Sequence, residues 1–93
     1  MRIIASHPFI VVKRTIDWNQ QHYLEQEHHL YLYEDRIISP TEKFLLDEVW
    51  DMSFRASNSD IGFLYLHTNR GLFSFQVKSE PSQFINLYKE LKQ

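Results

Sequence analysis

Cysteine is absent from the chain. That excludes a disulfide framework, an iron–sulfur site, a thiol nucleophile and a cysteine-based zinc site. Glycine is almost as scarce: Gly62 and Gly71 are the only two in 93 residues, so no phosphate-cradling glycine loop can form. No G-x-S-x-G elbow occurs either. Three prolines and no Pro/Gly/Ser-rich linker leave the chain undivided, and its length allows one domain spanning residues 1–93. Basic charge is thin, with 10 Lys and Arg against 12 Asp and Glu and a net charge of −2. The longest basic run is Lys13-Arg14. From Thr15 to Asp35 there is no Lys or Arg, whereas Asp17, Glu25, Glu27, Glu34 and Asp35 fall there. Such a stretch repels phosphate, which argues against nucleic acid, phosphoinositide and anionic membrane as partners. Long apolar runs are missing too. Ser6-His7-Pro8 breaks Ile3-Ile4-Ala5, and Phe9 to Val12 ends at Lys13, far short of the roughly 20 residues that span a bilayer. The expected location is cytoplasmic, with which the lack of thiols agrees.

What is abundant is aromatic surface, 15% of residues within an apolar total of 43%. That composition supports a folded core and not a disordered segment. Apolar residues recur with period two through most of the chain. Phe9-Ile10-Val11-Val12 reads as a buried strand, and Thr15 to Gln21 as a polar connection. His28 to Tyr33 alternates, Glu34-Asp35 turns, and Arg36 to Ser39 returns before Pro40. Lys43 to Leu46 is a further short strand. In Val49 to Arg55, Trp50, Met52 and Phe54 share the apolar face, which places Trp50 in the core. Ile61 to His67 and Leu72 to Lys78 flank a turn, Thr68-Asn69-Arg70-Gly71, with glycine where positive φ is needed. Period two then stops. Ser79-Glu80-Pro81 begins a helix from about Pro81 to Leu91, whose apolar face carries Phe84, Leu87, Tyr88 and Leu91.

These elements predict a mainly β fold: an antiparallel β-barrel or bent sheet of about seven strands with one C-terminal amphipathic capping helix. The runs LYLYEDRIIS (30–39), FLLDEVWDMSFR (44–55), GFLYLHTNRGLFSFQVKS (62–79) and EPSQFINLYKEL (80–91) resemble the pleckstrin-homology-like (PH-like) fold, especially its small bacterial domains. The resemblance covers about two-thirds of the chain. Lipid-binding members usually carry a tryptophan in the capping helix and several basic residues on the first strands. Here the tryptophans are Trp18 and Trp50, and only Lys13-Arg14 could supply the charge. The resemblance therefore implies the fold without implying phosphoinositide recognition.

Catalytic and metal chemistry find little footing. His28 and His29 are neighbours in a strand, so they face opposite ways and cannot share an ion. His7, His22 and His67 are scattered, although His22 could reach Glu25 or Glu27. The cluster Asp47, Glu48 and Asp51 reads as a solvated rim with one carboxylate capping backbone N–H groups. No cofactor, no metal and no enzymatic activity are expected. Trp18 has two readings. It is an exposed anchor for a partner, with Tyr23 at or near the contact, or it folds over an open barrel end beside Tyr23. The favoured function is a non-catalytic protein-interaction or self-assembly module, its partner another protein or a second copy. The competing class is a small-molecule or lipid-headgroup binding domain with His22 and His28 near a cavity.

Overall fold

The computed structural model describes residues 2–18, 20–57 and 61–92, without the side chains at 14, 15 and 17. Arg14, Asp17 and Asn19, considered above for charge and polarity, therefore have side chains outside the described part.

The period-two segments become seven antiparallel strands in one bent sheet: β1 (Ala5–Asp17), β2 (Gln20–Leu32), β3 (Arg36–Ile38), β4 (Lys43–Leu45), β5 (Val49–Ala56), β6 (Gly62–Thr68) and β7 (Gly71–Val77). Helix α1 (Ser82–Lys92) follows. Spatial order is β4-β3-β2-β1-β7-β6-β5, so β4 and β5 are edges and the sheet does not close into a barrel. A 3₁₀ turn, Leu46–Glu48, carries the chain from one edge to the other. Glu48 Oε1 accepts from the Leu45 N–H at 2.9 Å, the carboxylate cap expected from the acidic cluster.

One continuous core lies on the inner face: Phe9, Leu30, Leu32, Ile37, Phe44, Leu46, Val49, Met52, Leu64, Leu66, Val77, Phe84 and Tyr88. The helix covers the open side between the two edges. Its buried Tyr88 donates to Val49 O at 2.8 Å, and Lys92 Nζ reaches Leu46 O at 3.0 Å. Both acceptors lie where β4 passes into β5. Pro81 is buried, and its carbonyl accepts the first helical N–H, that of Ile85, at 3.0 Å. Phe84 and Tyr88 are buried as expected, whereas Leu87 and Leu91 are half-buried, because a helix laid over an opening contacts the core with a narrower stripe.

The expected β6–β7 turn is present. Gly71 has φ +115°, a conformation that suits glycine, and Thr68 Oγ1 donates to Gly71 O at 2.8 Å while accepting from Arg70 N at 3.1 Å. Arg70 then ties this turn to β4. Its guanidinium donates to Lys43 O at 2.9 Å and lies 5.0 Å from the Phe44 ring centre.

Two segments depart from the sequence expectation. Trp50 is 68% exposed, not a core residue. The β5–β6 register slips between Val49 and Asp51, so one extra residue separates buried Val49 from buried Met52. The bulge turns Trp50 outward. The larger departure concerns Thr15 to Gln21, which is strand, turn and strand. β1 and β2 each run 13 residues and pair from Ala5–Leu32 to Asp17–Gln20. At about 3.3 Å per residue such strands are about 43 Å long. The molecule measures 52 × 27 × 25 Å with a radius of gyration of 14.6 Å, against about 12 Å for a compact chain of this length. Among the described side chains, none from Ile10 to His29 is buried. The outer half of this hairpin is an arm.

Candidate functional site

The arm begins where its neighbours stop pairing with it. β3 pairs with β2 only at Tyr31 and Leu32, and β7 pairs with β1 at Ile10–Gln76. Pro8 sits just inside that boundary. It opposes His29, and the position tolerates a missing N–H because that bond does not belong to the β1–β2 ladder. Beyond Ile10 the hairpin therefore has two edges without a neighbouring strand, and past Val11, which still packs against the core, no described side chain on its faces is buried.

Large apolar side chains collect there. Val12, Ile16, Trp18, Tyr23 and Leu24 are all exposed, Trp18 by 93% and Tyr23 by 67%. Register puts Val12 opposite Glu25 and Ile16 opposite Gln21. Those pairs and Tyr23 therefore share one face, while Leu24, opposite Lys13, lies on the other. Tyr23 Oη donates to Gln21 Oε1 at 3.4 Å along that face. Trp18 occupies the turn itself with φ +55°, the left-handed region that a bulky side chain disfavours. Neither burial nor backbone preference explains a tryptophan at this position. The reading in which Trp18 folds over the barrel end is overturned, because the long hairpin carries it away from the body. No ring contact joins Trp18 to Tyr23 among the described residues.

Glu25 forms an ion pair with Lys78 across β1. The two residues, with Pro8, Ile10, Glu27 and Ser79, line a shallow groove of about 330 Å³ at the root of the arm. Its one ammonium is already paired and its other charges are carboxylates, so it offers no anion site. His22 and His28, the residues expected at a ligand cavity, do not line it. The His28 ring leans on Phe9 at 5.8 Å between centres, and His22 is exposed on the arm.

Three further titratable groups, His7, Asp35 and Tyr88, make contacts within the fold. His7 Nε2 donates to Ser79 O at 3.2 Å, and burial lowers the affinity of its ring for a proton. Asp35 holds Arg36 at 2.8 Å in the β2–β3 turn; the hydrogen bond to Arg36 lowers the carboxyl pKa. Burial, and then the nearby Asp51 charge, raise that of the Tyr88 hydroxyl. No group of three histidines or carboxylates suited to a metal ion occurs among the described residues. The structure does join one pair that spacing did not reveal. Ser53 Oγ lies 3.1 Å from His67 Nε2 on the outer face of β5 and β6. The β5–β6 register, Asp51 opposite His67 and Ser53 opposite Tyr65, is the signal that would have found it.

No helix among the described residues is long and apolar enough to cross a membrane. No family model matches the chain, and neither a curated protein nor a solved structure matches it significantly.

Proposed function

We propose that the chain is a non-catalytic protein-interaction or self-assembly module of PH-like type, acting in the cytoplasm, with Trp18 and Tyr23 at the contact. The observation that carries this reading is Trp18: almost wholly exposed, in left-handed backbone, at the tip of an arm with no buried side chain among those described. Backbone strain held at a site without a packing role points to function. Tryptophan and tyrosine at an exposed tip supply large contact area at small conformational cost. The acidic groove at the arm's root gives no comparable support to a lipid-headgroup or small-molecule reading.

Shortening the arm tests the proposal. Lys13 and Leu24 oppose each other in the same phase of the ladder as Asp17 and Gln20. Residues 14–23 can therefore be replaced by Asn-Gly, the favoured two-residue hairpin loop. The shortened protein is expected to melt within a few degrees of wild type, because the body keeps its whole core. It is expected to lose both self-association in sedimentation and co-purification with protein partners. A shortened protein that keeps both overturns the proposal.

A further inference from the structure

We infer that the arm's occupant is a second copy of this chain, docked edge to edge along β2 in an antiparallel register centred on Leu24. The inference rests on the arm being the contact surface and adds which strand pairs, with what, and in which register.

The Tyr33 N–H donates to Arg36 O at 2.8 Å across the β2–β3 turn, so odd-numbered residues of β2 aim their backbone groups toward the β3 side. Beyond Tyr31, β3 is no longer there. The outward N–H and C=O groups of Gln21, Tyr23, Glu25, Glu27 and His29 thus line an edge without a strand beside it, a template for another strand. The matching bare stretch of β1, from 11 to 17, is shorter than the 20–30 stretch of β2.

A symmetric dimer places the same edge against itself, and a two-fold axis normal to the sheet makes the strands antiparallel. Hydrogen bonding requires odd residues opposite odd residues, so the axis must pass through a residue and not between two. Centring on Glu25 gives the greatest overlap but sets Glu25 against its own copy, a like-charge pair directly opposite. Centring on Tyr23 shortens the ladder and leaves Glu27 opposite the turn. Centring on Leu24 pairs Tyr23 with Glu25, Gln21 with Glu27, Gln20 with His28, and Leu24 with itself. No two like charges meet. Leu24, 51% exposed in the single chain, is covered by its copy. Trp18 arrives opposite Leu30 of the second copy, beside Tyr31 and the Ile38 end of that copy's β3, so the tip abuts a strand end and not open water. Glu25 excludes the register of greatest overlap, and centring on Gln26 would set Glu25 against Glu27, so the two glutamates narrow the choice as charges do in other self-pairing elements.

The absence of cysteine makes the register directly measurable. Opposed residues whose backbone groups face away from the partner strand have Cα atoms about 4.5 Å apart, within disulfide reach. Single variants Leu24→Cys, Tyr23→Cys and Gln26→Cys, and an equimolar mixture of Leu24→Cys with Gln26→Cys, are oxidised in dilute protein and compared for covalent dimer. Leu24→Cys is expected to cross-link most completely with itself; a maximum at Tyr23→Cys or Gln26→Cys, or a mixed 24–26 dimer as the main product of the mixture, overturns the register. In sedimentation, wild type is expected to pass from monomer to dimer with concentration. Leu24→Lys and Leu24→Glu are each expected to raise the dissociation constant at least tenfold, with circular dichroism unchanged. An equimolar mixture of the two is expected to dimerise again. Wild type that stays monomeric at every concentration overturns the inference. If the arm-shortened protein still loses its heterologous partners, the broader reading of the arm stands.

Discussion

Trp18→Asn separates a residue kept for folding from one kept for contact. A bulky side chain in left-handed backbone costs about 1–2 kcal/mol, and asparagine tolerates that conformation. Against this gain stands whatever burial the indole enjoys. A fully covered tryptophan withdraws about 150–250 Å² from water, but Trp18 is 93% exposed, so only about 10–20 Å² is at stake. At about 25 cal/mol per Å² that is about 0.3–0.5 kcal/mol. The net expectation is a more stable monomer, by about 1 kcal/mol, or about 4–8 °C in Tm for a domain of this size. Urea titration at protein concentrations below the dimer range reads this directly, with an unchanged slope showing that the unfolding reaction is the same. Self-association of the same variant is expected to weaken. Stability and association thus move in opposite directions. A monomer destabilised by 1 kcal/mol or more refutes the reasoning, because the indole must then be packed against the body.

Tyr88→Phe removes the hydroxyl bound to Val49 O and is expected to cost about 1–2 kcal/mol. Burial raises the folded-state pKa of Tyr88 above its unfolded value of about 10, so the folded form holds the proton longer. The hydroxyl's contribution is therefore complete below pH 10 and lost as pH rises through the folded pKa; the gap between wild type and variant, measured by denaturation from pH 8 upward, must narrow. Phe84→Ala is expected to cost about 3–5 kcal/mol, and Leu87→Ala clearly less, because Phe84 is buried and Leu87 half-buried; equal losses in thermal melts would refute that placement. Anionic vesicles at about 0.15 M salt are expected to sediment without the protein. Salt-sensitive pelleting that a Lys13→Ala, Arg14→Ala double variant abolishes would contradict the charge argument.

The body was legible in the sequence because one of its faces is buried. Leu64 and Leu66 alternate with Tyr65 and His67 since water lies on one side of β6 and core on the other, and Gly71 marks the turn that follows. The arm has no buried face, so alternation there carries no information, and Val12, Ile16, Tyr23 and Leu24 look like scattered apolar residues in a polar loop. Between β1 and β2 the sequence reads Trp18-Asn19 and not the Asn-Gly that announces a tight hairpin. Trp50 misled for a different reason. A bulge shifts the phase of β5 by one residue, and a period-two reading continued through it assigns the wrong face. At the site, Trp18 and Tyr23 were identifiable as polar-context aromatics, but their separation from the body follows from strand length. Strand length is a tertiary fact.

The arm and the body divide the energetics in a way that sets the strength of any association. Every core residue lies in the body, so a dissociated monomer has no reason to unfold. Trp18 and Tyr23 together leave roughly 300 Å² in water, and complete cover in one copy sets an upper bound of about 7 kcal/mol gross at 25 cal/mol per Å². Two copies give about twice that, while immobilising two bodies costs an estimated 4–15 kcal/mol. The two quantities are of one order. Backbone hydrogen bonds along β2 must then decide the balance, each adding about 0.5–1.5 kcal/mol net when its geometry is right. An interface balanced so closely is reversible and depends on concentration. It is also sensitive to register, because a slip of one residue loses every edge hydrogen bond while leaving the apolar area nearly unchanged. Hydrogen bonding thus limits the choice to registers with odd residues opposite odd ones, and Glu25 and Glu27 act within that set: two carboxylates on an edge cost little in the monomer and disfavour the registers that set them against themselves or each other.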